Sequence, residues 1–136
     1  MNARYVVFRT SRFNLSKVGV HFINPCCFGE DLAAWLWDKL RQKGIDLREP
    51  YQEDWGWGLP VKNGGQSYYL GVGGNADGSS DNRDEGEWGV IVEKKRSIGR
   101  RLSGQGKITG GDELLLSVKE ILMADPSIRD VHVEDV

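Results

Sequence analysis

The residues with the most chemical potential in this 136-residue chain stand together in one short segment. Glu53 and Asp54 precede Trp55, and Gly56 separates Trp55 from Trp57. Side chains two residues apart on a strand share a face, so the spacing predicts that Glu53, Trp55 and Trp57 line up together. Indole rings pack in cores, and they also line binding grooves and partner interfaces. The segment is therefore predicted to be either a core strand under a helix or the floor of a groove.

Other residue types that carry chemistry do not form a catalytic or metal-binding pattern. Adjacent carboxylates on a strand point to opposite faces, which argues against a hydrolase-like acid pair. His21 and His132 match no zinc spacing, and the carboxylate-rich loop from 73 to 87 lacks the spacing of an EF-hand. The neighbours Cys26 and Cys27 suit buried thiols better than a nucleophile. The sequence therefore predicts no catalytic residue, no metal and no cofactor, and leans away from an enzyme.

A basic segment follows the last predicted strand of the central meander. It holds six of the eighteen basic residues: Lys94, Lys95, Arg96, Arg100, Arg101 and Lys107. Guanidinium groups bind carboxylate or phosphate bidentately, so Arg100 and Arg101 are predicted to close over an anionic ligand. Five glycines in the stretch from Ser97 to Gly111 predict a polar linker. The segment from Lys94 to Gly110 is predicted to be the most mobile part of the chain and to order on binding. The stretch lacks aromatic stacking platforms and the net charge is −2, which argues against nucleic acid as a partner.

The clearest predicted element is an amphipathic helix from Glu30 to Lys43. Leu32, Leu36 and Leu40 recur at the spacing of one helical face, which predicts that they meet the core. Trp35 lies off this stripe. It is predicted either to flank the core or to anchor a protein interface, where tryptophan is common. A second helix is predicted from Asp112 to Ala124.

Period-two alternation predicts the strands. They are placed at Tyr5–Arg9, Lys17–Ile23, Trp55–Leu59, Ser67–Val72, Trp88–Glu93 and Ile128–Val133. The order β(β)-α-β-β-β-α-β predicts a single α+β domain over residues 1–136, with a mainly antiparallel sheet of five to six strands and two helices on one face. Which face of the meander the helices cover stays open, because Tyr69 and Ile91 give the second face some apolar character.

Bulk properties narrow the setting of the protein. With 39% hydrophobic and 28% charged residues, the composition is that of an ordinary globular protein, and no apolar run approaches the length of a membrane span. Two adjacent cysteines without a further partner predict reduced thiols and a cytoplasmic location. The size and the mixed order of elements resemble small bacterial α+β domains, including toxin-immunity-type proteins. No motif assigns residues by that resemblance.

Two functional hypotheses follow. The first is a non-catalytic module that binds a protein, as an inhibitor or immunity-like protein would; self-association stays open. The second is a small ligand-binding domain or enzyme with a pocket walled by aromatic rings, Glu53 as its polar group and Arg100 or Arg101 over an anionic ligand. The rings in question are Trp55, Trp57, Tyr68 and Trp88. The hypotheses differ in whether these rings line an open concavity or are covered by helix side chains.

Overall fold

One sheet with helices packed on it organises the protein, in a computed structural model that describes residues 2–13, 28–76 and 86–135. The elements are β1 (Ala3–Thr10), α1 (Glu30–Gln42), β2 (Asp46–Leu47), β3 (Tyr51–Glu53), β4 (Gly56–Asn63), β5 (Gln66–Ala76), β6 (Gly86–Lys94), α2 (Ile98–Ser103), α3 (Glu113–Met123) and β7 (Ile128–Asp135). The predicted strand at Lys17–Ile23, the cysteines and His21 lie outside the described residues, as does most of the acidic loop.

The strands form one antiparallel sheet in the order β2-β4-β5-β6-β1-β7, with β3 also paired to β4. The predicted α+β class with an antiparallel sheet is confirmed. Among the residues that the structure describes, the sheet has seven strands rather than five or six, and there are three helices rather than two. The additional strands β2 and β3 are only two and three residues long, too short to show any periodicity.

Helices α1 and α3 cover one face of the sheet. On this face the row of cross-strand partners runs through Trp57, Val72, Val90, Val6 and Val133. It meets the leucines of both helices in one core. Burying such side chains supplies most of the favourable free energy of folding. The side of each strand that faces these helices is therefore its interior side.

The opposite side of the sheet, which we name the outer face, is covered by neither α1 nor α3. One row of cross-strand partners on it runs through Gly58, Gly71, Ile91, Tyr5 and Glu134. Small and half-buried residues therefore alternate with core residues along β4, β5 and β6. Gly58 and Gly71 are buried on this face although neither α1 nor α3 covers them.

The predicted linker from Ser97 to Gly111 contains the short helix α2, so this part of the prediction is wrong. Ser97 caps the helix by accepting a hydrogen bond from the Arg100 amide, and Gly104 ends it in the left-handed conformation. Asn2 then ties the segment to the sheet. Its amide nitrogen donates to the carbonyls of Lys94 and Gly106 at 2.9 and 3.0 Å. Together with Ile108, which is buried in the core, these bonds hold the segment against the sheet.

Candidate functional site

The four aromatic side chains predicted to wall one pocket lie on two sides of the sheet. Trp57, Tyr68 and Trp88 are buried in the core beneath the helices, and Trp57 is only 6% exposed. Trp55 is 46% exposed and lies in the turn that joins β3 to β4. The predicted common face of Trp55 and Trp57 is therefore wrong, because the turn interrupts the alternation that would place them together. Helix side chains cover the buried rings, and the four rings enclose no common concavity.

Trp55 packs instead on the outer face, across β5. A Cβ atom at Gly71 would lie 2.4 Å from Cη2 of Trp55, so the ring occupies the space of the missing side chain. The ring centroids of Trp55 and Tyr69 are 6.5 Å apart in an edge-to-face arrangement. Tyr51 stands 6.4 Å from Tyr69 on the other side. We name Tyr51, Trp55 and Tyr69 the aromatic corner.

Glu53 belongs to this corner as its polar group. The Tyr69 hydroxyl donates a hydrogen bond to Oε1 of Glu53 at 3.3 Å. Burial, followed by the hydrogen bonds and charges of Tyr51 and Glu53, raises the pKa of Tyr69 well above its usual value. Tyr69 therefore remains a neutral donor at physiological pH, and the Glu53 carboxylate keeps further acceptor capacity for a partner.

Glycines on neighbouring strands make this arrangement possible. The hydroxyl of Tyr69 lies 2.2 Å from the Cβ position of Gly58, and that of Tyr5 lies 2.0 Å from the Cβ position of Gly89. Each tyrosine thus reaches diagonally across the next strand, where any larger residue would displace it. Glycine leaves one face of a strand bare. Here aromatic side chains of the same sheet fill the space that the glycines leave.

Trp35 is half-buried at a separate place, in the middle of α1. Its ring lies 5.6 Å from the ring of Phe13, and the Arg12 guanidinium is 5.4 Å from its centroid. It also borders a 470 Å³ cavity between α1 and α3, with Lys39 and Asp125 among the other lining residues. Trp35 is thus held by its own neighbours, away from the aromatic corner.

Arg100 and Arg101 are both exposed on α2, but only one of them borders a concavity. Arg101 lines a 250 Å³ cavity at the end of β6. The other lining residues are Asn2, Glu93, Lys94, Lys95 and Arg96. Neither Glu53 nor the buried tryptophans reach it, so the predicted pocket that combines aromatic walls, Glu53 and an arginine is not assembled. The basic residues form a site of their own.

A buried polar network behind this cavity escaped the sequence analysis. Oδ2 of Asp112 accepts from the Tyr68 hydroxyl at 2.9 Å and from Nζ of Lys94 at 3.2 Å. Oδ1 accepts from the amides of Leu114 and Leu115 and so caps α3. Burial, and then the bond to Asp112, raise the pKa of Tyr68. The sequence predicts Asp112 at the start of this helix but does not predict its long-range partners.

Comparison with protein-family models, with curated proteins and with solved structures found no match to this chain. Within the three described ranges, no helix is long and apolar enough to cross a membrane. Those same ranges contain no cluster of three or more His, Cys, Asp or Glu side chains arranged to hold a metal ion. Two surfaces of the described residues are therefore the candidate sites: the aromatic corner and the cavity that Arg101 lines.

Proposed function

We propose that the protein is a non-catalytic binding module that recognises a protein partner through its aromatic corner. The observation that carries the proposal is the exposure of Trp55 and Tyr51, 46% and 43%, on a sheet face that the packed helices leave uncovered. Tryptophan and tyrosine supply much of the binding free energy at protein interfaces, because they bury large areas at little conformational cost.

Rigidity supports the same proposal. The Trp55 ring lies against Gly71, and Tyr69 is fixed by Gly58 beneath it and by Glu53 beside it. A partner that docks here meets rings already held in place, so less side-chain entropy is lost on binding. Surface aromatics without such support lose more freedom when they bind.

Charge favours a partner with a basic surface. Glu53 and Asp54 stand beside the rings, and Asp54 is exposed in the same turn as Trp55. An arginine or lysine of the partner would lie over an indole face while it approaches these carboxylates. Such complementarity accelerates association and excludes acidic partners.

The test compares matched variants in partner capture. Tagged wild-type protein, Trp55→Ala, Glu53→Gln and the control Met123→Ala are incubated with lysate of the source organism, and a stoichiometric partner is then purified and titrated. Met123 is 65% exposed on α3 and matches Trp55 as an exposed apolar residue on the other side of the sheet.

We expect wild type and Met123→Ala to bind the purified partner equally, and Trp55→Ala to bind it at least about 30-fold more weakly, as for an interface hot spot. A partner whose affinity is unchanged by Trp55→Ala contradicts the proposal, as does the absence of any stoichiometric partner. If the protein acts as an inhibitor or immunity-like protein, the purified partner loses an activity in the complex.

A further inference from the structure

The cavity at the end of β6 has an excess of positive charge. Four of its lining residues are cationic: Lys94, Lys95, Arg96 and Arg101. Lys94 is paired with Asp112 at 3.2 Å, and Lys95 is paired with Glu93 at the same distance. These two carboxylates leave about two positive charges uncompensated around the cavity.

The uncompensated charges are those of two arginines. Within the described chain, no carboxylate lies in ion-pair distance of Arg96 or Arg101. The hydrogen bond of the Arg96 guanidinium to the Gln105 carbonyl is long, at 3.4 Å, and its buried Nε finds no acceptor among the described residues. Guanidinium groups therefore stand at the cavity with donors unused, which is the arrangement that binds oxyanions bidentately.

The fold holds these groups in place. Asn2, at the cavity wall, fixes the Gly106 carbonyl and accepts from the Ile108 amide at 3.0 Å, which sets the chain that follows α2. Gly106 packs on the stem of Arg96, whose Cγ would lie 3.2 Å from a Cβ atom at that position. Asn2 is thus a positioning residue for the basic wall.

Size and charge together select the ligand. A volume of 250 Å³ is below the roughly 300–1,000 Å³ of sites that enclose a whole organic ligand, so only a small group enters. A phosphate group carries about −1.5 to −2 charge at pH 7 and three acceptor oxygens, which matches the uncompensated charge better than a single carboxylate does. We propose that this cavity binds a phosphate group, either free phosphate or the phosphate of a small monoester. The proposal is independent of the protein partner inferred above.

Neighbouring residues of α2 provide a matched pair of variants. Arg101 lines the cavity, whereas Arg100 does not, and both are exposed on the same helix. Isothermal titration with inorganic phosphate and with phenyl phosphate is carried out on wild type, Arg101→Ala and Arg100→Ala, at low and at physiological ionic strength. Circular dichroism confirms that each variant is folded.

We expect one saturable site that weakens with added salt. Arg101→Ala should weaken it about tenfold or more, as expected for loss of a charge-assisted hydrogen bond, and Arg100→Ala should change it by less than about twofold. Tighter binding of phenyl phosphate identifies a monoester as the ligand; equal binding identifies phosphate alone. Absence of saturable binding of both probes, an affinity unchanged in Arg101→Ala, or equal losses in both variants would overturn the proposal.

Discussion

The hydroxyl of Tyr68 donates to the carboxylate of Asp112 across 44 positions of sequence, and both side chains are buried. The same carboxylate caps α3 and pairs with Lys94. One side chain thus joins the third helix to two central strands of the sheet. Its loss affects three elements at once.

Replacement of Asp112 by alanine is therefore expected to lower the free energy of unfolding by about 3–5 kcal/mol, because it leaves a mostly buried Lys94 unpaired and removes the helix cap. Asp112→Asn also removes the charge opposite Lys94, but it keeps the cap and an acceptor for Tyr68, so it should cost less, about 2–3 kcal/mol. Urea denaturation measures both values. Equal effects of the two variants would contradict the assigned roles of the cap and of the Tyr68 hydrogen bond, because both variants remove the charge.

Neighbouring glycines of β5 should respond in opposite ways to alanine. A Cβ atom at Gly74 would lie 2.3 Å from Cε3 of the buried Trp88, which has no room to move. We expect Gly74→Ala to cost about 1–3 kcal/mol by overpacking. At Gly73 the nearest atom is the Trp55 carbonyl oxygen, at an ordinary 3.6 Å. Gly73→Ala should be neutral or stabilise the fold by up to about 1 kcal/mol, since the unfolded chain loses freedom. Thermal or urea unfolding of the two variants measures both changes in stability.

Tryptophan fluorescence can distinguish the two faces of the sheet. Trp55 is exposed, whereas Trp57 is buried beneath α1. Trp55→Phe should remove most of the emission that acrylamide quenches readily and shift the remaining spectrum to shorter wavelength. Trp57→Phe should leave the quenchable part unchanged. If both variants lose a similar fraction of quenchable emission, Trp55 and Trp57 lie on a common face, as the sequence alternation predicts.

Acid should weaken a contact between the start and the end of the described chain. Asp125 accepts hydrogen bonds from the Ser127 hydroxyl and amide and pairs with Arg12 at 2.8 Å. The Ser127 hydroxyl bond is the largest cause that holds the pKa of Asp125 below its usual value, with burial opposing it. A lowered pKa in the folded state favours the ionised form. Its stabilisation is full above the unfolded pKa of about 3.9 and is lost as the pH falls through the folded pKa.

The variant Asp125→Asn should accordingly be less stable than wild type near neutral pH. The difference between their urea midpoints should shrink as the pH falls below about 4. Ser127→Ala provides the control, since it removes the hydroxyl bond and leaves the charge. A difference that is constant across this range would show that the carboxylate charge does not contribute.

The sequence predicts the long regular elements well because periodicity reports burial. The helix predicted from Glu30 to Lys43 ends within one residue of α1, and the helix predicted from Asp112 to Ala124 contains α3. The Asp54–Trp55 turn was missed, since the alternation of Trp55 with Trp57 continues through it as a pattern. Tertiary context decides such positions: Gly71 provides the space for Trp55 only after β5 is in place beside β4.

Residues of the candidate sites were predicted individually but not in their grouping. Glu53 and Trp55 do lie together, yet their third member, Tyr69, comes from a different strand. Likewise, sequence adjacency does not distinguish Arg100 from Arg101, because a helical turn sends the two side chains in different directions. A local sequence pattern does not show which residues from different elements come together in the folded chain.

The position of β1 within the sheet sets the order in which the protein can be completed. Val6 of β1 pairs with Val90 of β6 and with Val133 of β7, so both neighbours of this strand come from the second half of the chain. During synthesis on the ribosome, β4, β5 and β6 can pair before β1 does, because they are close to one another in sequence. β1 is thus synthesised first but gains its second neighbour last. Until β7 has formed, one edge of β1 is open to pairing with other chains.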